Sequence, residues 1–142
     1  PMEEHERAWV VVSFLVFRGD YEAALNRLEL FHVGPADAAA PIEWRWRMLF
    51  EWGTMALQLG RVQEAMAKLH EAEQIFPTAE GANNLGVAYA RDDDVASATR
   101  CFSAALERFP GYRDALLNQA DGTGSRLTLL PLRRAPARSE YA

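Results

Sequence analysis

Nowhere in this 142-residue chain does an apolar run approach the roughly 20 residues that span a bilayer, so no membrane insertion is expected. The most apolar early stretch, 8–17, is short and follows Glu3, Glu4 and Glu6, where an export signal would carry basic residues. Pro1 ahead of Met2 reads as a cloning remnant, which makes Met2 the expected start. Cysteine occurs once, as Cys101, so no internal disulfide can form, and a cytoplasmic location fits. Excess basic charge is missing too. The net charge is −5, which argues against a nucleic-acid partner. Histidine is scarce, and His5, His32 and His70 have no Cys or His at a metal-ligand spacing, so no metal is expected. No glycine-rich phosphate loop precedes a helix, and no Ser, His and acid set is suggested by spacing. The chain is therefore expected to need no cofactor and not to be an enzyme.

What is present is an ordinary soluble composition, 49% apolar and 25% charged, in a length that suits one domain with a real core. The charge is uneven. Residues 122–142 carry Arg126, Arg133, Arg134 and Arg138 against Glu140, a net of +3, so the remainder holds −8.

Internal repetition decides the fold class. Leu85, Gly86 and Tyr89 are followed by Ala98, Phe102 and Pro110, with Ala82 opening the series. Thirty-three residues earlier, Leu49, Trp52, Gly53 and Ala56 lead to Ala65, Leu69 and Pro77. Earlier still, Ala8, Val11, Val12 and Leu15 precede Ala24 and Leu28. Gly19, Asp20, Tyr21, Glu22, Ala23 and Ala24 form an inter-helix turn that Gly60 to Ala65 repeat. The spacing between the first two copies is longer, and the extra residues fall in the Gly-, Pro- and Ala-rich loop 34–41. A fourth copy begins at Ala115, with Gln119 at the place of Leu85, and ends at Asp121, Gly122, Thr123 and Gly124. Apolar residues recur at i, i+3, i+4 and i+7, the mark of amphipathic helices. Helices are predicted near 4–17, 20–32, 42–59, 61–75, 79–91, 94–108 and 112–120.

This pattern resembles the tetratricopeptide-repeat family, W-x2-L-G-x2-Y then A-x3-F then P, over about residues 5–120. The resemblance implies an all-α solenoid over 4–120, with helix-turn-helix repeats at about 5–34, 46–78 and 79–111. A capping helix at 112–120 would cover the last apolar face. A tail over 121–142 follows, either disordered or docked. Small residues such as Gly53 and Gly86 are expected where helices approach closely.

In that family the first helix of each repeat lines a concave surface where peptides bind. The resemblance carries those places onto Glu6, Trp9, Ser13, Val16 and Phe17, then Arg47, Phe50, Thr54, Leu57 and Gln58. The third copy supplies Glu80, Asn83, Val87, Ala90 and Arg91, with Asn84 at the place that often bonds a ligand backbone. The co-chaperone subset that grips a C-terminal carboxylate uses cations here. This chain has Trp9, Ser13, Glu51, Glu80 and Asn84 instead, so a carboxylate clamp is not expected. Trp9, Phe17, Phe50 and Leu57 suggest a partly apolar groove, while Trp44, Trp46 and Trp52 are expected between helices.

The remaining motifs read as structure. Cys101 lies beside Phe102 on a helix face and is expected as a packing or semi-exposed residue. The run Asp92, Asp93, Asp94 lacks calcium-loop spacing, and Asp94 or its neighbour is expected as the N-cap of the following helix. The tail is both apolar and basic, with Leu127, Leu129, Leu130 and Leu132 available to cover the terminal helix. The expected function is a protein-interaction scaffold or adaptor that binds a peptide or helix of a partner. The alternatives are a self-associating solenoid, including a homodimer, and the interaction or sensor part of a larger regulator.

Overall fold

The periodic apolar faces fold as seven α-helices among the described residues of a computed structural model, which are 3–32, 40–121 and 126–128. They are α1 (Glu4–Phe17), α2 (Tyr21–His32), α3 (Ile42–Gln58), α4 (Val62–Ile75), α5 (Ala79–Arg91), α6 (Val95–Arg108) and α7 (Arg113–Asp121). Each end lies within one residue of the expected bound. No strand occurs among the described residues. The predicted insertion at 34–41 falls largely outside them, as do Leu129, Leu130 and Leu132 of the tail. Among the described residues no helix is long and apolar enough to cross a membrane.

Three turns close alike. The Asp20 N–H reaches Leu15 O at 2.8 Å, Arg61 N–H reaches Ala56 O at 2.8 Å, and Asp94 N–H reaches Tyr89 O at 2.9 Å. Each is the bond from residue i to i−5 that ends a helix around one left-handed residue. That residue is Gly19 (φ 78°), Gly60 (φ 76°) and Asp93 (φ 61°). The aspartate run therefore belongs to the turn: Asp93 takes the glycine's place and Asp94 caps α6, accepting from Ser97 N–H at 3.1 Å. Thr78 caps α5 in the same manner, accepting from Gly81 N–H at 2.8 Å.

The turns fold α1 onto α2, α3 onto α4 and α5 onto α6, and each pair packs on the next helix in order, ending with α7. The odd-numbered helices also touch in succession: α1 with α3, α3 with α5, and α5 with α7. They share one layer. Within the pairs, two glycines set the approach. A Cβ on Gly53 would lie 2.5 Å from Leu69 Cγ, and one on Gly86 would lie 2.6 Å from the Phe102 ring. Leu69 and Phe102 thus fill the space that a side chain would occupy, and each contributes about 1.5–3 kcal/mol by its burial.

One main core runs through α1 to α6, and Trp46 and Trp52 are buried in it. Trp44 is half-buried against it, with its ring 6.0 Å from Trp9. A small alanine-rich core of Ala79, Ala82, Ala105 and Ala115 joins α7 to the pair before it. Polar ties support the stacking. Arg108 on α6 donates to Glu73 on α4 at 2.7 Å and to Thr78 O at 2.9 Å.

Candidate functional site

The layer of odd-numbered helices carries an unusual concentration of buried amides. Asn83 and Asn84 on α5 and Asn118 on α7 are all fully buried. Buried amides must be hydrogen-bonded, and these three bond largely to a piece of main chain. The piece is 126–128, which returns across the layer after α7.

Asn118 holds Arg126 by both backbone groups, with Oδ1 accepting from Arg126 N–H at 2.8 Å and Nδ2 donating to Arg126 O at 3.0 Å. Asn84 does the same to Thr128, accepting from its N–H at 2.8 Å and donating to its O at 3.0 Å. An extended chain points the N–H and C=O of alternate residues to one side, and the two amides meet that presentation like a neighbouring strand. Asn118 stands 34 residues after Asn84, one repeat further on.

Asn83 links the two grips. It accepts from Asn118 Nδ2 at 2.8 Å and donates to Arg126 O at 2.8 Å. The remaining Nδ2 hydrogen of Asn84 goes to Thr54 Oγ1 on α3 at 2.9 Å. Beside them, the Tyr112 hydroxyl lies 2.6 Å from Thr128 Oγ1, and that oxygen donates to Asp114 Oδ2 at 2.8 Å. Burial pushes the Tyr112 phenol well above its usual range, with Glu80 and Asp114 adding to the rise and the Thr128 bond opposing it. Leu127, between the gripped residues, is half-buried against the main core.

Of the residues expected on this surface, Asn83 and Asn84 bond to 126–128, and Thr54 lies behind Asn84. Phe50 is buried and stacks on Trp46, with ring centroids 5.2 Å apart. Leu57 is buried, and its carbonyl accepts from Arg91 Nη1 at 2.7 Å, so Arg91 ties α5 to α3. Val87 is fully buried. Trp9 is buried beneath the Arg47 guanidinium, 4.8 Å from the ring centre, and Ser13 lies one turn on, half-buried. Phe17, at the end of α1, is 87% exposed and joins no packed wall.

Tyr112, Asp114 and Asn118 were not among the expected surface residues. For Asn118 the signal exists, because placing Gln119 at the position of Leu85 puts Asn118 at that of Asn84. Tyr112 and Asp114 have no counterpart in the repeat pattern and gain their role only from where 126–128 returns.

At the same place on α3 stands Glu51, 33 residues before Asn84. It is buried, and its carboxyl is pushed up to about 7 by that burial, with the nearby Arg47 charge opposing. Elsewhere, Cys101 lines a cleft of about 270 Å³ with His70, Glu73, Tyr89 and Arg108. Burial, then Glu73, pushes its thiol up to about 11, so at neutral pH it stays protonated and is a poor nucleophile. His70 Nε2 in that cleft is bonded to Tyr89 OH at 2.7 Å. The chain matches none of the models of known protein families, and no curated protein matches it.

Proposed function

We propose that this chain is a tetratricopeptide-type solenoid that acts as a protein-interaction scaffold, binding an extended segment of a partner along α3, α5 and α7. The observation that carries the reading is the pair of asparagine grips. Asn84 and Asn118 each satisfy both backbone groups of one residue, and a contact of that kind recognises main chain whatever the side chains. The equivalent turns at Gly19, Gly60 and Asp93 and the close contacts at Gly53 and Gly86 support the repeat type. On this reading 126–128 is the segment's own stand-in, and a partner takes its place. The work is binding, not catalysis, in a compartment where the lone Cys101 stays reduced, such as the cytoplasm.

The test empties the site without touching the helices. In a full chain with Arg126→Pro and Thr128→Pro, the tail loses both N–H donors that Asn118 and Asn84 accept. Titration calorimetry with a synthetic peptide of residues 122–132 should then show binding at a single site. Adding Asn84→Ala and Asn118→Ala should abolish it. Equal binding with and without the asparagines would overturn the reading.

A second reading, a solenoid that self-associates or continues into a larger regulator, rests on α1. Val10, Phe14 and Phe17 form an apolar stripe along its exposed side, with Leu30 of α2 also exposed. Sedimentation over a concentration series tests it, since Phe14→Glu should dissolve any oligomer built on that stripe.

A further inference from the structure

The side chain of Thr128 is held as completely as its backbone. A threonine hydroxyl has one hydrogen to give and two lone pairs to fill. Asp114 can only accept, so the hydrogen goes to its Oδ2 at 2.8 Å. Tyr112 must then be the donor in the 2.6 Å contact, while Asn83 Nδ2 lies a longer 3.3 Å away and has its two hydrogens nearer to Arg126 O and Asn84 Oδ1. The hydroxyl is thus met both as donor and as acceptor, by one side chain of α7 and one from the turn before it. Nothing in backbone recognition requires this, because Arg126, gripped just as firmly by Asn118, is exposed.

We infer that Tyr112 and Asp114 form a hydroxyl-reading subsite, so that the segment bound here is an extended x-Leu-Thr (or x-Leu-Ser) stretch of a partner, unphosphorylated at the hydroxyl. The inference rests on the peptide-binding reading above and adds side-chain specificity to it. The chain's own Arg126, Leu127 and Thr128 are the copy of that stretch already in place, and a partner segment competes with it. Leucine at the middle position follows from the packing of Leu127 on the core. Valine in place of threonine keeps the shape but takes from the half-buried Tyr112 and Asp114 the hydroxyl that they share. A phosphate in place of the hydroxyl would meet Asp114 directly, with Glu80 acting on the same neighbourhood through Tyr112.

The experiment uses the full chain carrying Arg126→Pro and Thr128→Pro, with helix content checked by circular dichroism. Three forms of the 122–132 peptide are titrated: native, with Thr128→Val, and with Thr128 phosphorylated. The native peptide should bind, and the other two should bind weaker by on the order of 10–100-fold. Equal affinity for all three means the groove reads backbone alone, which overturns this inference and leaves the proposed function standing. No binding by any of them overturns both. A second measurement needs no emptied site. In the otherwise native chain, trypsin cleavage after Arg126, followed by mass spectrometry, reports how often 126–128 leaves the face. Thr128→Ser should cleave at nearly the native rate and Thr128→Val on the order of tenfold or more faster. Equal rates for both variants would overturn the inference. So would a chain-exchanged dimer dispersed by Thr128→Val that binds no added peptide, since the slot would then serve a second copy.

Discussion

The same repeat place carries opposite chemistry in the two halves of the helix layer. Asn84 and Asn118, on α5 and α7, each present one donor group and one acceptor and hold a returning main chain. Glu51, the counterpart on α3, is a buried carboxyl beside Arg47, in a half walled by Trp9, Trp46 and Phe50. An amide holds backbone at any pH because it offers both roles without ionising. A carboxyl offers both only while protonated. The repeat therefore fixes where a side chain stands, and the residue type decides whether that place can grip an extended chain.

The comparison can be broken most strongly at the scaffold. Gly86→Leu drives a side chain into Phe102 and Cys101, and should cost about 1–3 kcal/mol while separating α5 from α6. The tail should be released with it, since Asn83 and Asn84 ride on α5. A thermal melt unchanged from the native protein would refute the contact. Next in size is the grip. Asn84→Ala strands Thr128 N–H, Thr128 O and the Thr54 hydroxyl, a loss of roughly 1–3 kcal/mol readable by denaturant titration.

Glu51→Gln sharpens the contrast from the other side. The folded chain raises this carboxyl from 4.5 to about 7, so the folded state holds the proton more tightly than the unfolded state. Stability from this group is thus highest below about 4.5, falls as pH rises through the interval to 7, and is level above it. Glu73, also raised to about 7 mainly by burial, acts in the same direction. The native protein should melt several degrees higher at pH 5.5 than at pH 8, and Glu51→Gln should shrink that difference by about half. Smallest is the turn. Asp93→Gly gives the left-handed position the residue that Gly19 and Gly60 already have, and should add about 0.5–1 kcal/mol.

Much of this architecture was legible in the residues. Helix ends follow from Gly19, Gly60, Pro77 and Pro110, and the close approaches from Gly53 and Gly86, because local backbone preference and packing agree there. The site was legible only where it lies within the repeat. Thr54, Asn83 and Asn84 follow from register, and Asn118 could have. Phe50 and Leu57 illustrate what register leaves open: the structure stacks Phe50 on Trp46 and gives the Leu57 carbonyl to Arg91. Periodicity gives the face of a helix, but the depth to which a neighbour covers that face depends on tertiary packing. Tyr112 and Asp114 were illegible for a related reason. Their partner, Thr128, arrives from outside the repeat, and no spacing in the sequence announces that return.

The central claim is that side-chain amides hold the backbone of Arg126 and Thr128 on the helix layer. Amide hydrogen exchange measured residue by residue in the full chain tests it most directly. Protection of the Arg126 and Thr128 amides should fall together in Asn84→Ala, Asn118→Ala, on the order of 10-fold or more, while amides within α3 to α6 keep theirs. Exchange of Arg126 and Thr128 at the unprotected rate in the native chain, or protection that survives loss of both asparagines, would contradict it.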